Sequence, residues 1–209
     1  INKLTALCRI ADPSILTTEI KKISVDENDE KVSFFKTFIK SIDNEIFNDI
    51  SESLITNLSH RTFFLHENNR NKITPLVSIT DESQGLQKIF GLAPIIIDTI
   101  TNGYTLVIDE LNNSLHPLIA LEIIKLFNNT KTNLQNAQLL ASTHDVTLLD
   151  PDLLRRDQIW FTEKNDDNAT ELFSLADFPS KEVRKDTPFD KWYLSGKFGA
   201  IPVVKDIQL

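Results

Sequence analysis

Methionine does not occur in these 209 residues, cysteine occurs once, and glycine occurs only five times. The single thiol, Cys8, supplies neither a disulfide framework nor a zinc site, and one unpaired cysteine suits a reducing compartment. His60 and His66 have no partners at metal-ligand spacing. The scarcity of glycine goes with the absence of any Gly-x-x-x-x-Gly-Lys-Ser/Thr loop, so a backbone cradle for nucleotide phosphates is missing from this stretch. No apolar run approaches the roughly 18–20 residues that span a bilayer. Ile95-Ile96-Ile97 is closed off by Asp98, no signal-peptide pattern opens the chain, and the expectation is a cytoplasmic piece without a membrane segment. The net charge of −8 argues against broad, nonspecific binding to a nucleic-acid backbone, although it leaves room for a local basic patch.

What the chain does carry is concentrated between residues 81 and 145. Tyr104-Thr105-Leu106-Val107-Ile108 is an apolar, β-rich run suited to the centre of a parallel sheet covered on both faces, and it ends in Asp109-Glu110. Chemistry in open α/β sheets collects beyond the carboxyl ends of the strands. Two adjacent acids there are costly unless they hold a metal or work on a substrate, although a solvated acid pair at a strand end is a common alternative. Leu115, Leu118, Ile119, Ile123, Leu126 and Phe127 follow at helical spacing, with Ser114 the expected N-cap and Pro117 in the first turn. Gln138-Leu139-Leu140-Ala141-Ser142 reads as a second short strand, ending in Thr143-His144-Asp145. Strand, helix and strand with short connections form a parallel βαβ unit, which brings Asp109-Glu110 and Thr143-His144 to one edge of a sheet.

This combination resembles the second half of an ABC-type ATPase. Leu106-Val107-Ile108-Asp109-Glu110 is similar to a Walker B strand with its catalytic glutamate, Ser114-Leu115-His116-Pro117 stands where the D-loop follows, and His144 matches the switch histidine. Asp81-Glu82-Ser83-Gln84-Gly85-Leu86-Gln87-Lys88 resembles the signature motif, with Ser83 and Gly85 at its serine and second glycine. His116-Pro117 replaces the Leu-Asp ending usual in transporters, and glutamate and glutamine fill signature positions that are usually leucine and glycine. These departures point to soluble ATPases related to the SMC/Rad50 branch, and more narrowly to bacterial AAA15/AAA21-type, RloA-like proteins. The resemblance covers most of residues 75–203.

The resemblance implies an α/β chain that is the C-terminal part of an ABC-ATPase-type P-loop NTPase fold, with a parallel core sheet, edge β-hairpins and a helical insertion. Its implied cofactors are ATP and Mg²⁺. Asp109 would hold the ion, through a water, Glu110 would polarise the attacking water, and His144 would contact the γ-phosphate. Ser83, the N–H of Gly85, Gln87 and Ser114 would complete the nucleotide contacts. A signature acts in trans, so a homodimer closing over ATP is implied. A RloB-like or nuclease effector is the suggested partner. The alternatives are the ATPase part of an OLD-like nuclease system, for which no Asp-x-Asp on a strand follows His144, and a transporter subunit. Because the chain begins at Ile1 and lacks the phosphate loop, the expectation is the C-terminal part of a longer polypeptide, inactive as an ATPase by itself. A degenerate subunit is the alternative.

The expected organisation is residues 1–72 as a helical arm or lid insertion with adjoining strands, 73–178 as the ATPase core part, and 179–209 as a C-terminal extension. Within these, 17–23 reads as a strand, 26–30 as a loop, and 31–58 as helical. Residues 61–66 and 73–79 read as a hairpin, as do 158–163 and 170–175, the latter placed on the edge of the sheet. Residues 180–190 read as an exposed connection. Trp192, Tyr193 and Phe198 are candidates to anchor the tail on the ATPase body or a partner. Arg155-Arg156 reads as a solvated or salt-bridged loop.

Overall fold

Asn2 opens the first element: its side chain accepts the Thr5 N–H at 2.7 Å, capping helix α1 (Lys3–Ala11). The buried face of α1 carries Thr5 and Cys8, and Thr5 Oγ1 meets Thr18 Oγ1 of strand β1 (Ile15–Lys22) at 3.2 Å. The computed structural model describes residues 2–22, 60–68, 70, 72–179, 183–184 and 187–202. The loop expected at 26–30 and the helix expected at 31–58 lie outside the described residues. By its internal packing the chain divides into two units, residues 1–97 and 98–209.

In the first unit, β1 pairs antiparallel with β2 (His60–His66), and β2 pairs antiparallel with β3 (Val77–Ser78). The hairpin expected from residues 61–79 therefore forms, but its second strand is short. Only Phe63↔Ser78 and Phe64↔Val77 pair within it, with a further bridge at Glu67↔Ile73, and the chain then turns into a 3₁₀ segment at Ile79–Asp81. Helix α2 (Gln84–Asn102) follows. Its stripe Leu86, Ile89, Ala93 and Ile96 is buried, and Phe90 meets the buried Phe64 edge-on at 5.7 Å. The helix runs through Pro94 because this 3- and 4-residue spacing keeps one apolar face inside on both sides of the proline.

The second unit contains the βαβ element. Strand β4 (Thr105–Ile108) lies parallel to β5 (Gln138–Ala141) in the register Ile108↔Ala141, joined through helix α3 (Pro117–Asn128). Ala120, Ile123, Ile124 and Phe127 form the buried face of α3. Two expectations fail here. Ser114 is not the N-cap: it sits in a turn with φ 60°, and the cap is His116, whose Nδ1 accepts the Leu118 N–H at 3.2 Å ahead of Pro117. Nor is β4 covered on both faces. Val107 is 67% exposed and Leu140 64% exposed, while Ile108 on the opposite face of the pleat is buried. Among the described residues this sheet has two strands with one helix crossing between them, and its other face is bare.

Strands β6 (Trp160–Lys164) and β7 (Thr170–Ser174) form the expected hairpin, but as a sheet of their own and not as an edge of β4–β5. The expected exposed connection at 180–190 is also corrected where it is described. Val183, Thr187 and Phe189 are buried, and Val183 and Phe189 join Ile159, Phe161, Leu175 and Phe198 in one apolar cluster. Phe189 begins the short helix α4 (Phe189–Leu194). Tyr193 stacks on Phe161 at 5.5 Å and Phe198 lies 5.9 Å from the same ring, so the tail is anchored on the β6–β7 hairpin. Arg155 pairs with Asp157 at 3.0 Å, whereas Arg156 donates to the carbonyls of Leu175, Ala176 and Phe178.

Candidate functional site

The ends of β4 and β5 are tied together by one hydroxyl. Ser142, the residue after β5, donates from Oγ to Asp109 Oδ1 and accepts the Glu110 N–H at 2.8 Å. Backbone pairing continues the parallel register on either side: Ser142 N–H donates to Ile108 O at 3.0 Å, and Leu111 N–H donates to Ser142 O at 3.0 Å. Beyond this point the chain turns sharply. Glu110 has φ 50° and Ser114 has φ 60°, left-handed conformations that are uncommon for residues with a Cβ. Leu111 and Leu115, both buried, pin the two ends of the turn. Asp109, Glu110 and Ser114 remain at the solvent surface, so the acids do not bear the desolvation cost of a buried strand end.

His144 reaches the same edge. Its Nε2 lies 2.8 Å from the Asn112 amide nitrogen, and Asn112 Oδ1 accepts the Thr143 hydroxyl at 2.8 Å. The structure thus brings Asp109, Glu110, Ser114 and His144 to one turn. Thr143 stands at this edge as expected; the structure adds Ser142 and Asn112, which sequence reasoning missed. Ser142 directly precedes Thr143-His144 at the strand end, which was the available signal; Asn112 offered none.

The sequence-predicted Ser83, Gly85 and Gln87 belong to the first unit. Ser83 Oγ accepts the Leu86 N–H at 3.2 Å and so caps α2, with Gly85 in its first turn. Gln87 turns its side chain back, donating from Nε2 to Glu82 O at 2.8 Å. Glu82 is itself held by His66, Nε2 to Oε1 2.8 Å. A helix start of this kind leaves N–H groups favourable to an anion.

Among the described residues no group of three or more His, Cys, Asp or Glu side chains could cage a metal ion. Mg²⁺ does not require such a cage, because it keeps several waters and takes one or two carboxylates plus phosphate oxygens. One Asp109 oxygen is engaged by Ser142, and an exposed hard-oxygen donor of this kind fits that requirement.

Residues 10–150 match the family model described as "AAA domain, putative AbiEii toxin, Type IV TA system". The chain belongs to this family. The match spans both the α2 start and the β4–β5 turn, and it places the chain among nucleotide-binding ATPases with a P-loop NTPase-like α/β fold. AAA ATPases generally use ATP and Mg²⁺. No curated protein matches the sequence. No helix among the described residues is long and apolar enough to cross a membrane.

Proposed function

We propose that this chain supplies the Walker B, switch and signature residues of a cytoplasmic ABC-type ATPase, of RloA-like kind, that dimerises around ATP. The observation that carries the reading is the joining of Asp109 and Glu110, through Ser142, to the strand end that presents His144. In this reading Glu110 orients the attacking water, and His144 donates a hydrogen bond to the γ-phosphate. Asp109 would hold Mg²⁺ through a water, and the ion would neutralise charge on the phosphates. Ser83, Gly85 and Gln87, at the start of α2, contact nucleotide bound mainly by the second copy of a homodimer, and Ser114, in the turn after β4, supplies a nucleotide contact of its own. Nucleotide-driven closure then controls an effector, such as a RloB-like protein or a nuclease. The toxin–antitoxin wording of the family description fits a role in bacterial defence against phage.

The test is Glu110→Gln in the natural protein that carries this chain. The expected result is loss of ATP hydrolysis with retention of ATP and accumulation of a dimer, read by phosphate release and light scattering. Undiminished hydrolysis would reject the assignment of Glu110.

A further inference from the structure

The hydrogen-bond chain behind His144 is directional. Thr143 Oγ1 accepts the Asp145 N–H at 3.0 Å, so the hydroxyl's own proton is left to donate, and Asn112 Oδ1 lies 2.8 Å away to take it. This orients the Asn112 carboxamide: its oxygen faces Thr143 and its NH₂ faces the imidazole of His144. That nitrogen is 2.8 Å from Nε2 and 3.4 Å from Nδ1. An amide NH₂ is a donor and cannot accept, so the nearer ring nitrogen must be the acceptor. A neutral imidazole that accepts at Nε2 carries its proton on Nδ1.

We infer that Asn112 is a positioning residue that selects the Nδ1–H tautomer of His144. The relay runs from the Asp145 N–H to the Thr143 hydroxyl, to the Asn112 amide and to Nε2. Nδ1–H is then the donor left for an incoming anion. In the ATPase reading above, on which this last step alone rests, that anion is the γ-phosphate. No bond other than hydrogen bonds forms or breaks, and no proton leaves the ring.

The experiment uses the 209-residue chain labelled with ¹⁵N, whose imidazole tautomers are read by long-range ¹H–¹⁵N correlation at neutral pH. The chain has only four histidines, and His144→Gln identifies the signal of interest. The expected result is a protonated Nδ1 and an unprotonated Nε2 in the unsubstituted chain. Asn112→Asp presents only acceptors to the ring and should reverse the pattern to Nε2–H. Asn112→Ala should relax it toward Nε2–H, the form preferred by an unconstrained imidazole. Thr143→Val removes the donor that orients the amide without touching either partner, and should give a mixture. Unchanged signals from the other histidines report that each variant is folded.

An Nε2–H signal in the unsubstituted chain, or an Nδ1–H signal that survives Asn112→Asp, overturns the inference. A second arm measures ATP turnover in the natural protein. Asn112→Asp should lower kcat on the order of tenfold with little change in KM, since the donor would be misplaced but binding retained. Reversed tautomer with unaltered kcat overturns the positioning role. No turnover in the unsubstituted natural protein overturns the ATPase reading instead, while the tautomer arm is decided independently.

Discussion

His66 Nε2 lies 2.8 Å from Glu82 Oε1, which ties the end of β2 to the residue that precedes Ser83. The other ring nitrogen, Nδ1, meets Ser14 Oγ at 2.8 Å and Asp12 Oδ2 at 3.4 Å. The His66 and Glu82 side chains are only 12% and 11% exposed, so solvent replaces neither partner readily. One imidazole therefore fastens three segments: the turn before β1, the end of β2 and the entry into α2.

His66→Ala should accordingly destabilise the first unit by about 1–3 kcal/mol, the cost of leaving a part-buried acceptor unpaired. Glu82→Gln, which keeps a hydrogen-bonding oxygen at the same place, should cost less. Urea denaturation gives the magnitude, and hydrogen exchange should show lost protection in β2 and the first turn of α2. An unchanged midpoint in His66→Ala would remove the imidazole from the list of structural ties.

Gly103 makes a different demand on the backbone. Its φ is +74°, and a Cβ there would stand 2.5 Å from the Gln135 carbonyl oxygen. Gly103→Ala should cost on the order of 1–3 kcal/mol, from strain and from the displaced carbonyl. Gly91, with nothing within 4 Å of an added Cβ and a place inside α2, is the control. Gly91→Ala should be stabilising by roughly 0.5–1 kcal/mol through helix propensity. Equal thermal shifts for the two variants would contradict this contrast.

The meeting of Asp109-Glu110 with His144 was legible because it depends on local patterns: two short apolar runs, a helix between them, and the parallel sense that such a unit imposes. Ser142 and Asn112 were not legible as connectors, since a short polar side chain acquires that role only from the register Ile108↔Ala141 and the turn that follows. The misplaced helix cap has a related cause. Positive φ at Glu110 and Ser114 is not announced by glycine or asparagine at those positions, so the sequence pattern ends the turn at Ser114 and the structure carries it on to His116. Val183 and Phe189 were hidden among charged neighbours, and their burial arises from residues such as Phe161 and Phe198. Conversely, the exposure of Val107 and Leu140 contradicts their apolar character, because a two-stranded sheet has only one face for α3 to bury.

Asn133 closes the loop between α3 and β5 from inside. It is 8% exposed, donates from Nδ2 to Phe127 O and Ala137 O at 2.8 Å each, and accepts the Ala137 N–H at 2.7 Å. Asn133→Ala should cost about 2–3 kcal/mol, because several buried backbone groups lose their partner at once. Asn133→Asp should be no better: a carboxylate cannot donate to the two carbonyls and is desolvated beside them. Denaturation midpoints of the two variants check this, and a well-tolerated Asp would show that the carbonyls find other donors.

Burial in α1 pushes the Cys8 thiol up to about 11 from its ordinary 9.0. The direction sets the pH dependence. Below about pH 9 both folded and unfolded chains keep the thiol protonated, and the stability associated with its burial is fully present. Between about 9 and 11 the unfolded chain releases the proton first, so that stability is lost as pH rises. The difference between the unsubstituted chain and Cys8→Ala isolates the thiol from every other group. Cys8→Ala should flatten the alkaline decline. Thiol-specific reagents at pH 8 should modify the native chain slowly and the urea-unfolded chain fast; equal rates would mean that Cys8 is accessible.

Glu110 separates stability from activity. Its φ of 50° is held by its own N–H on Ser142 Oγ at 2.8 Å and by its carbonyl, which accepts the Asn113 N–H at 2.9 Å. A non-glycine residue in this region is strained by on the order of 1–2 kcal/mol, while glycine adopts it freely but loses more entropy on folding. These terms nearly offset, so Glu110→Gly should leave the stability of the chain unchanged or raise it by up to about 1 kcal/mol. Glu110→Val, with a β-branched side chain in the same conformation, should lower it by about 1–3 kcal/mol. On the proposed assignment of Glu110, both variants should abolish ATP hydrolysis in the natural protein, because neither retains a carboxylate to orient water. Thermal melts of the chain beside turnover of the natural protein read the two effects separately. A strongly destabilised Glu110→Gly would place the requirement for glutamate in folding, whereas a stable and inactive one places it in chemistry.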